Sequence, residues 1–217
     1  MQNKNKKNLF EITQTVYSFE RIDIPHWISY WYQIKIILTL SPFLKKLLVV
    51  GKGDGIVANI LKEYTSEVKT LDIDYKLKPD YVASVEKMPL ADNNFDIVLC
   101  TEVLEHLPFE KFEKSLSELK RVAKKCVILS LPHFGPPIKF SFKIPLIREK
   151  KIALKIPISI THTISKKIAK EEIHYWEIGE KNYSLKNVKK IIKKYFKIKK
   201  EFLPFENLSH HFFILEK

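Results

Sequence analysis

The chain has little of what would build a disulfide scaffold, a membrane span or a dedicated nucleic-acid binder. Only two cysteines, Cys100 and Cys126, stand among 217 residues. Each sits in an apolar run that reads as a buried strand, where a free thiol behaves as a small hydrophobe. A disulfide framework is excluded on that count, and no metal site is expected. No stretch of about 18 apolar residues occurs without a charge. The N-terminus is polar and lysine-rich with no apolar run behind it, so neither a membrane span nor a signal peptide is readable and the expected compartment is the cytoplasm. Arginine is nearly absent, represented by Arg21, Arg121 and Arg148 alone, although the formal net charge is +13. Clustered cations supply the salt-dependent part of nucleic-acid affinity, but arginine is the side chain suited to bidentate phosphate and base contacts. The lysines are also spread along the chain, as solvated helix faces would have them. A nucleic-acid partner is therefore disfavoured.

What is present is an alternation. At this length one domain with a continuous core is expected. From Lys45 to Pro132 short aliphatic runs alternate with longer amphipathic stretches, the pattern of βαβ units around a parallel sheet. Strands are expected at Leu47–Gly51, Val68–Asp74, Tyr81–Val85, Phe95–Cys100 and Lys125–Pro132, and helices at Ile56–Tyr64 and about Phe109–Lys124. A helix at Leu185–Phe196 and strands at Ile198–Leu203 and His211–Lys217 follow. The last two strands have no helix between them and are free to pair antiparallel. Trp27–Leu40 reads as an amphipathic helix, opened near Pro25 and ended by Pro42. In contrast, residues 133–170 carry Pro136, Pro137, Pro145 and Pro157 without a clean period, and so long a connection in a compact domain is expected to be a lid or a loop tied to function.

Val49–Gly55 reads VVGKGDG, with Gly51, Gly53 and Gly55 after a strand and before a helix. Glycine permits a tight turn and close backbone approach to a ligand, while the helix start offers free N–H groups. Asp72 follows at the end of the second strand, where a carboxylate can accept hydrogen bonds from two ribose hydroxyls. Asp74 is its rival. The block VEKMPLADNNFDIVLCTEVLEHLPFEKF (Val85–Phe112), followed by ELKRVAKKCVILSLP (Glu118–Pro132), resembles the class I S-adenosylmethionine-dependent methyltransferases. Dinucleotide-binding dehydrogenases share the glycine turn but not this block.

The resemblance implies an α/β, three-layer Rossmann-like fold: a mostly parallel seven-stranded sheet with an antiparallel last strand and helices on both faces. It implies S-adenosylmethionine as cofactor, with Gly51, Gly53 and Gly55 along its methionine and ribose part and Asp72 on the ribose hydroxyls. Ile73 would pack on the adenine, Ser84, Val85 and Glu86 would meet its edge, and Thr101 and Glu102 would border the sulfonium. The corresponding division is an N-terminal helical cap (1–44), a cofactor-binding half (45–132), an insert over the acceptor site (133–183) and a C-terminal helix with a strand pair (184–217). Two positions depart from the pattern, Val49 and Ser84, where relatives often carry acids.

His106 is a candidate base, because imidazole titrates near neutral pH; the other reading is that it shapes its loop. His174 is a second candidate, within IHYWEIGEKNYS (Ile173–Ser184). There Tyr175, Trp176 and Glu177 either grip a planar acceptor or anchor the insert to the sheet. His210 and His211, being adjacent on a strand, point to opposite faces and make a poor metal pair. The lysine-rich apolar insert is compatible with peripheral contact to an anionic membrane surface. The expected activity is methyl transfer to a small-molecule or glycan acceptor, at oxygen. A non-catalytic protein of the same fold, for which Val49 and Ser84 speak, and an RNA methyltransferase, for which the charge speaks, are the alternatives.

Overall fold

The computed structural model describes residues 23–40, 45–143, 145, 149–155 and 174–217; Pro42 and residues 156–173 of the insert lie outside them. Helix α1 (Ile24–Leu40) precedes strand β1 (Lys46–Val50), helix α2 (Ile56–Lys62), β2 (Glu67–Asp72) and the two-residue β3 (Tyr81–Val82). Then come β4 (Phe95–Thr101), α3 (Phe112–Val122), β5 (Ala123–Pro132), β6 (Pro137–Phe142), β7 (Lys150–Lys155), α4 (Leu185–Tyr195), β8 (Lys197–Phe202) and β9 (His210–Glu216). Seven strands form one sheet in the order β3-β2-β1-β4-β5-β9-β8. The first five are parallel, and β9 runs antiparallel between β5 and β8. The expected three-layer architecture is therefore present.

Consecutive residues of the central strands are buried because both faces of the sheet are covered. Successive side chains point to opposite faces, and the packing divides accordingly. Leu48, Val50, Val98, Cys100, Val127 and Leu129 pack with Phe112, Leu116 and Leu119 of α3 and Val188 and Ile192 of α4. Leu47, Val49, Ile97, Leu99 and Ile128 pack with Val57, Ala58 and Leu61 of α2 and Ile36 and Ile37 of α1. Each such aliphatic side chain contributes about 1.5–3 kcal/mol on full burial.

Several boundaries differ from the sequence-based expectation, each for a local reason. Strand β2 stops at Asp72 because Asp74 caps a 3-10 turn over Tyr75–Leu77, accepting from the Lys76 N–H at 2.9 Å. Strand β3 is cut short by a turn in which Ser84 Oγ accepts from the Glu86 N–H at 3.2 Å. The helix expected from Phe109 begins as a 3-10 turn, Phe109–Lys111, and becomes α-helical at Phe112. The larger correction concerns the insert, where β6 and β7 pair antiparallel as a separate two-stranded sheet, Ile138 opposite Leu154 and Phe140 opposite Ile152. Its prolines obscured a true alternation; Pro137 is tolerated as the first residue of an edge strand.

The stretch between β3 and β4 has no helix, and Arg121 on α3 holds it. Its guanidinium donates to the carbonyls of Leu90 at 2.6 Å and Met88 at 3.0 Å, and to the carboxylates of Asp92 at 2.8 Å and Glu118 at 2.7 Å. One of the three arginines is thus committed to the fold. Arg121→Ala should lower unfolding free energy by about 2–4 kcal/mol in urea titrations, because buried acceptors lose their donor. Arg121→Lys should recover only a small part of it, since an ammonium cannot match the planar fork.

Candidate functional site

The helices cover the faces of the sheet, so polar groups gather at the carboxyl ends of the strands. At the end of β1, Gly51 donates its N–H to Leu71 O at 2.8 Å and takes φ +78°. A Cβ there would stand 2.3 Å from Val103 Cγ2, so only glycine lets the loop after β4 lie against this turn. Gly55, also at φ +78°, opens α2 without a side-chain cap. Lys52 pins the turn sideways, donating to Leu77 O and, at 2.8 Å, to Lys78 O. From the opposite side Tyr30 of α1 donates to Asp54 Oδ2 at 2.5 Å.

Asp72 stands half-buried at the end of β2. Its Oδ2 faces the Gly53 N–H at 3.4 Å, and its Oδ1 accepts from the Asp74 N–H at 3.0 Å. Asp74 is buried and occupied as the cap described above. Beside Asp72, Ile73 is 47% exposed, an apolar side chain left open to solvent at a strand end. The Val85 side chain is buried in the core, and Glu86 pairs with Lys111 at 2.9 Å. Val49 is likewise a core residue.

At the end of β4, Thr101 pairs with Ser130 across the sheet, and Glu102 adopts φ +52°. A non-glycine residue in the left-handed region must be held there. Ser130 Oγ donates to Glu102 Oε1 at 2.6 Å, and His210 Nε2 lies 3.6 Å from Glu102 Oε2. His210 in turn meets Ser29 of α1 at 3.0 Å. Sequence reasoning gave no site role to Ser29, Ser130 or His210, because their meeting depends on β9 lying next to β5.

Beyond Glu102, a 3-10 turn over Leu104–His106 presents Glu105 and His106. The return segment from His174 is tied to this turn, since the Tyr175 N–H donates to Glu105 O at 2.8 Å. The rings of His106 and His174 approach edge to face at 5.1 Å between centroids, and His174 Nδ1 lies 2.9 Å from Glu177 Oε1. Tyr175 is 52% exposed, whereas Trp176 is 1% exposed. Trp176 packs edge-on against Phe109 and Phe112 at 4.9 and 5.0 Å and donates Nε1–H to Leu107 O at 3.1 Å. The expectation that Trp176 grips an acceptor is corrected: it is the anchor of the insert, and its ring is enclosed in the core.

Residues 48–131 match the family described as Methyltransferase domain. An uncharacterised protein of Methanocaldococcus jannaschii is 31% identical over 99 residues, 42% of this chain and 43% of its own length; the match thus spans less than half of that curated relative. Magnesium protoporphyrin IX methyltransferase (ChlM) from Synechocystis PCC 6803, solved with bound S-adenosylhomocysteine, superposes with TM-score 0.63 at 14% identity, over 96% of this chain and 94% of that one. N-methyltransferase NodS from Bradyrhizobium japonicum WM9 gives 0.64 at 8% identity, over 96% and 97%. The small RNA methyltransferase HEN1 gives 0.60 at 15% identity, over 88% of this chain and 25% of that one. The fold is that of the class I methyltransferases. Among the described residues of this methyltransferase fold, no helix is long and apolar enough to cross a membrane.

One further pair lies close by. His133 and His211 stack with their Nδ1 atoms 3.0 Å apart. Burial, with Lys155 nearby, lowers His133 to about 4; burial, with His133 and Lys189 nearby, lowers His211 to about 3. Both are neutral in the fold and gain a proton more readily once unfolded, where the ordinary value is 6.5. Stability from this pair is therefore full above that value and is lost as pH falls from it toward 4 and 3. Thermal melts should show about 2 kcal/mol lost per histidine between pH 7 and 5. His211→Gln should flatten that slope; an unchanged slope would place the titration elsewhere.

Proposed function

We propose that this chain is an S-adenosylmethionine-dependent methyltransferase acting on a hydroxyl of a small-molecule or glycan acceptor. The observation that carries the reading is the half-buried Asp72 carboxylate beside the Gly53 N–H, at the strand end that adjoins the three-glycine turn. These groups fit the proposed cofactor: a carboxylate for ribose hydroxyls, an open apolar side chain at Ile73 for adenine, and a turn whose glycines let a ligand approach the backbone closely. Gly51, Gly53 and Gly55 would hold the methionine and ribose part, with Ser84, Val85 and Glu86 along the adenine edge and Thr101 and Glu102 toward the sulfonium. When bound, the cofactor supplies an activated methyl group, and the protein's remaining task is to position the acceptor and receive its proton.

The chain's own groups for that task are His106, His174 and Glu177. An imidazole held by a carboxylate, as His174 is by Glu177, is suited to accept a proton from a hydroxyl. Tyr175, exposed on the same segment, offers an aromatic face to an acceptor ring. Helix α1 closes the site from above through Tyr30 and Ser29. Two readings compete. The likeness to HEN1 and the net charge of +13 favour RNA, while the commitment of Arg121 to the fold weighs against it. A non-catalytic role is favoured by Val49 being buried in the core and by Ser84 Oγ being engaged by the Glu86 N–H.

Calorimetric titration with S-adenosylhomocysteine should give one site per chain. Asp72→Ala should weaken it about 10- to 100-fold, the cost of losing hydrogen bonds to a charged group. No binding at millimolar cofactor would overturn the reading, and unchanged affinity in Asp72→Ala would move the ribose contact to another residue.

A further inference from the structure

Glu105 has no place in the cofactor site, yet it is 0% exposed. Neither carboxylate oxygen has a hydrogen-bond partner among the described residues. An isolated carboxyl in such surroundings is costly unless it is neutralised or paired. Two imidazoles lie across from it: a carboxylate oxygen of Glu105 and one nitrogen each of His106 and His174 all lie within 4.8 Å of one another.

We propose that Glu105, His106 and His174 form a binding site for a divalent first-row transition metal such as Zn2+ or Mn2+. Two imidazoles and one carboxylate are a donor set such ions accept, and three protein ligands leave coordination positions for water or substrate. Ligands about 2.0–2.2 Å from a metal stand roughly 3–3.5 Å apart, so a small inward closure of the three groups completes the arrangement. The frame is already fixed. Glu105 and His106 share one 3-10 turn, and the Tyr175 N–H to Glu105 O hydrogen bond holds the segment carrying His174 against it. Glu177 on His174 Nδ1 is the kind of outer contact that orients a metal-binding imidazole. A cation here also meets the negative charges of Glu102 and Glu177, both of which act on Glu105. Resting on the methyltransferase reading, the metal would lie on the acceptor side of the cofactor and lower the pKa of a bound hydroxyl, and His106 and His174 would then hold the metal instead of taking the proton themselves.

The test is direct metal binding to the full chain after chelation, without cofactor. Calorimetry with Zn2+ and Mn2+, and the visible absorption of added Co2+, should report one ion per chain. His106→Ala, His174→Ala and Glu105→Gln should each weaken binding at least about tenfold. Thermal unfolding separates folding from binding: metal-free Glu105→Gln should melt no lower than the parent, because an uncompensated buried acid is gone, while the metal-induced rise in Tm should vanish. Binding that survives all three substitutions, or that is lost instead in His211→Gln, overturns the site. So does the absence of any binding at millimolar metal. Titration of the metal-free chain with S-adenosylhomocysteine is a separate measurement, so failure of the metal site and failure of the cofactor reading are distinguishable.

Discussion

Both faces of the central sheet are buried, and this confines the chemistry of the molecule. With α1 and α2 on one side and α3 and α4 on the other, the middles of the central strands β1 and β4 are filled by aliphatic side chains. Titratable and hydrogen-bonding groups are driven to the carboxyl ends, where loops leave the sheet. The switch in strand order falls between β1 and β4, and neighbouring loops depart there in opposite directions. The glycine turn, Asp72 and Glu102 all lie around that opening, which is where open α/β sheets take ligands.

The return segment from His174 converts an open sheet edge into a walled site. Trp176 supplies the energy, sunk among Phe109, Phe112 and Tyr183. Truncating a buried tryptophan costs on the order of 3–5 kcal/mol, so the segment is firmly seated. Its neighbours on either side, Tyr175 and Glu177, are held at the surface as a consequence. The seated Trp176 and the Tyr175 N–H to Glu105 O hydrogen bond together hold the segment on which His174 meets His106.

The electrostatics follow from the same geometry. Glu105 lies with His106 and His174, Glu177 holds His174, and Glu102 faces His210, so acids and imidazoles alternate along this end of the sheet. Glu102 is restrained by Ser130 on β5 and His210 on β9, and its left-handed backbone conformation persists because those contacts over-determine it. Glu105, one turn further on, has no such restraint.

Residues close in sequence were legible before any fold was known. VVGKGDG after an aliphatic run, Asp72 one strand later and FDIVLCTEVLEHL identify strand, turn and helix by period and by glycine, because each signal is local. That these strands run parallel followed from the same alternation, and their order in the sheet came only with the fold. The hairpin of β6 and β7 was hidden by prolines and lysines, and its pairing depends on register between strands, not on composition. The placement of Trp176 in the core, the meeting of Ser29, Ser130 and His210, and the cluster of Glu105, His106 and His174 were decided only by tertiary structure. Side chains so far apart in sequence meet only when β9 and the return segment dock against β5 and the turn after β4, and no pattern within a single segment records that docking.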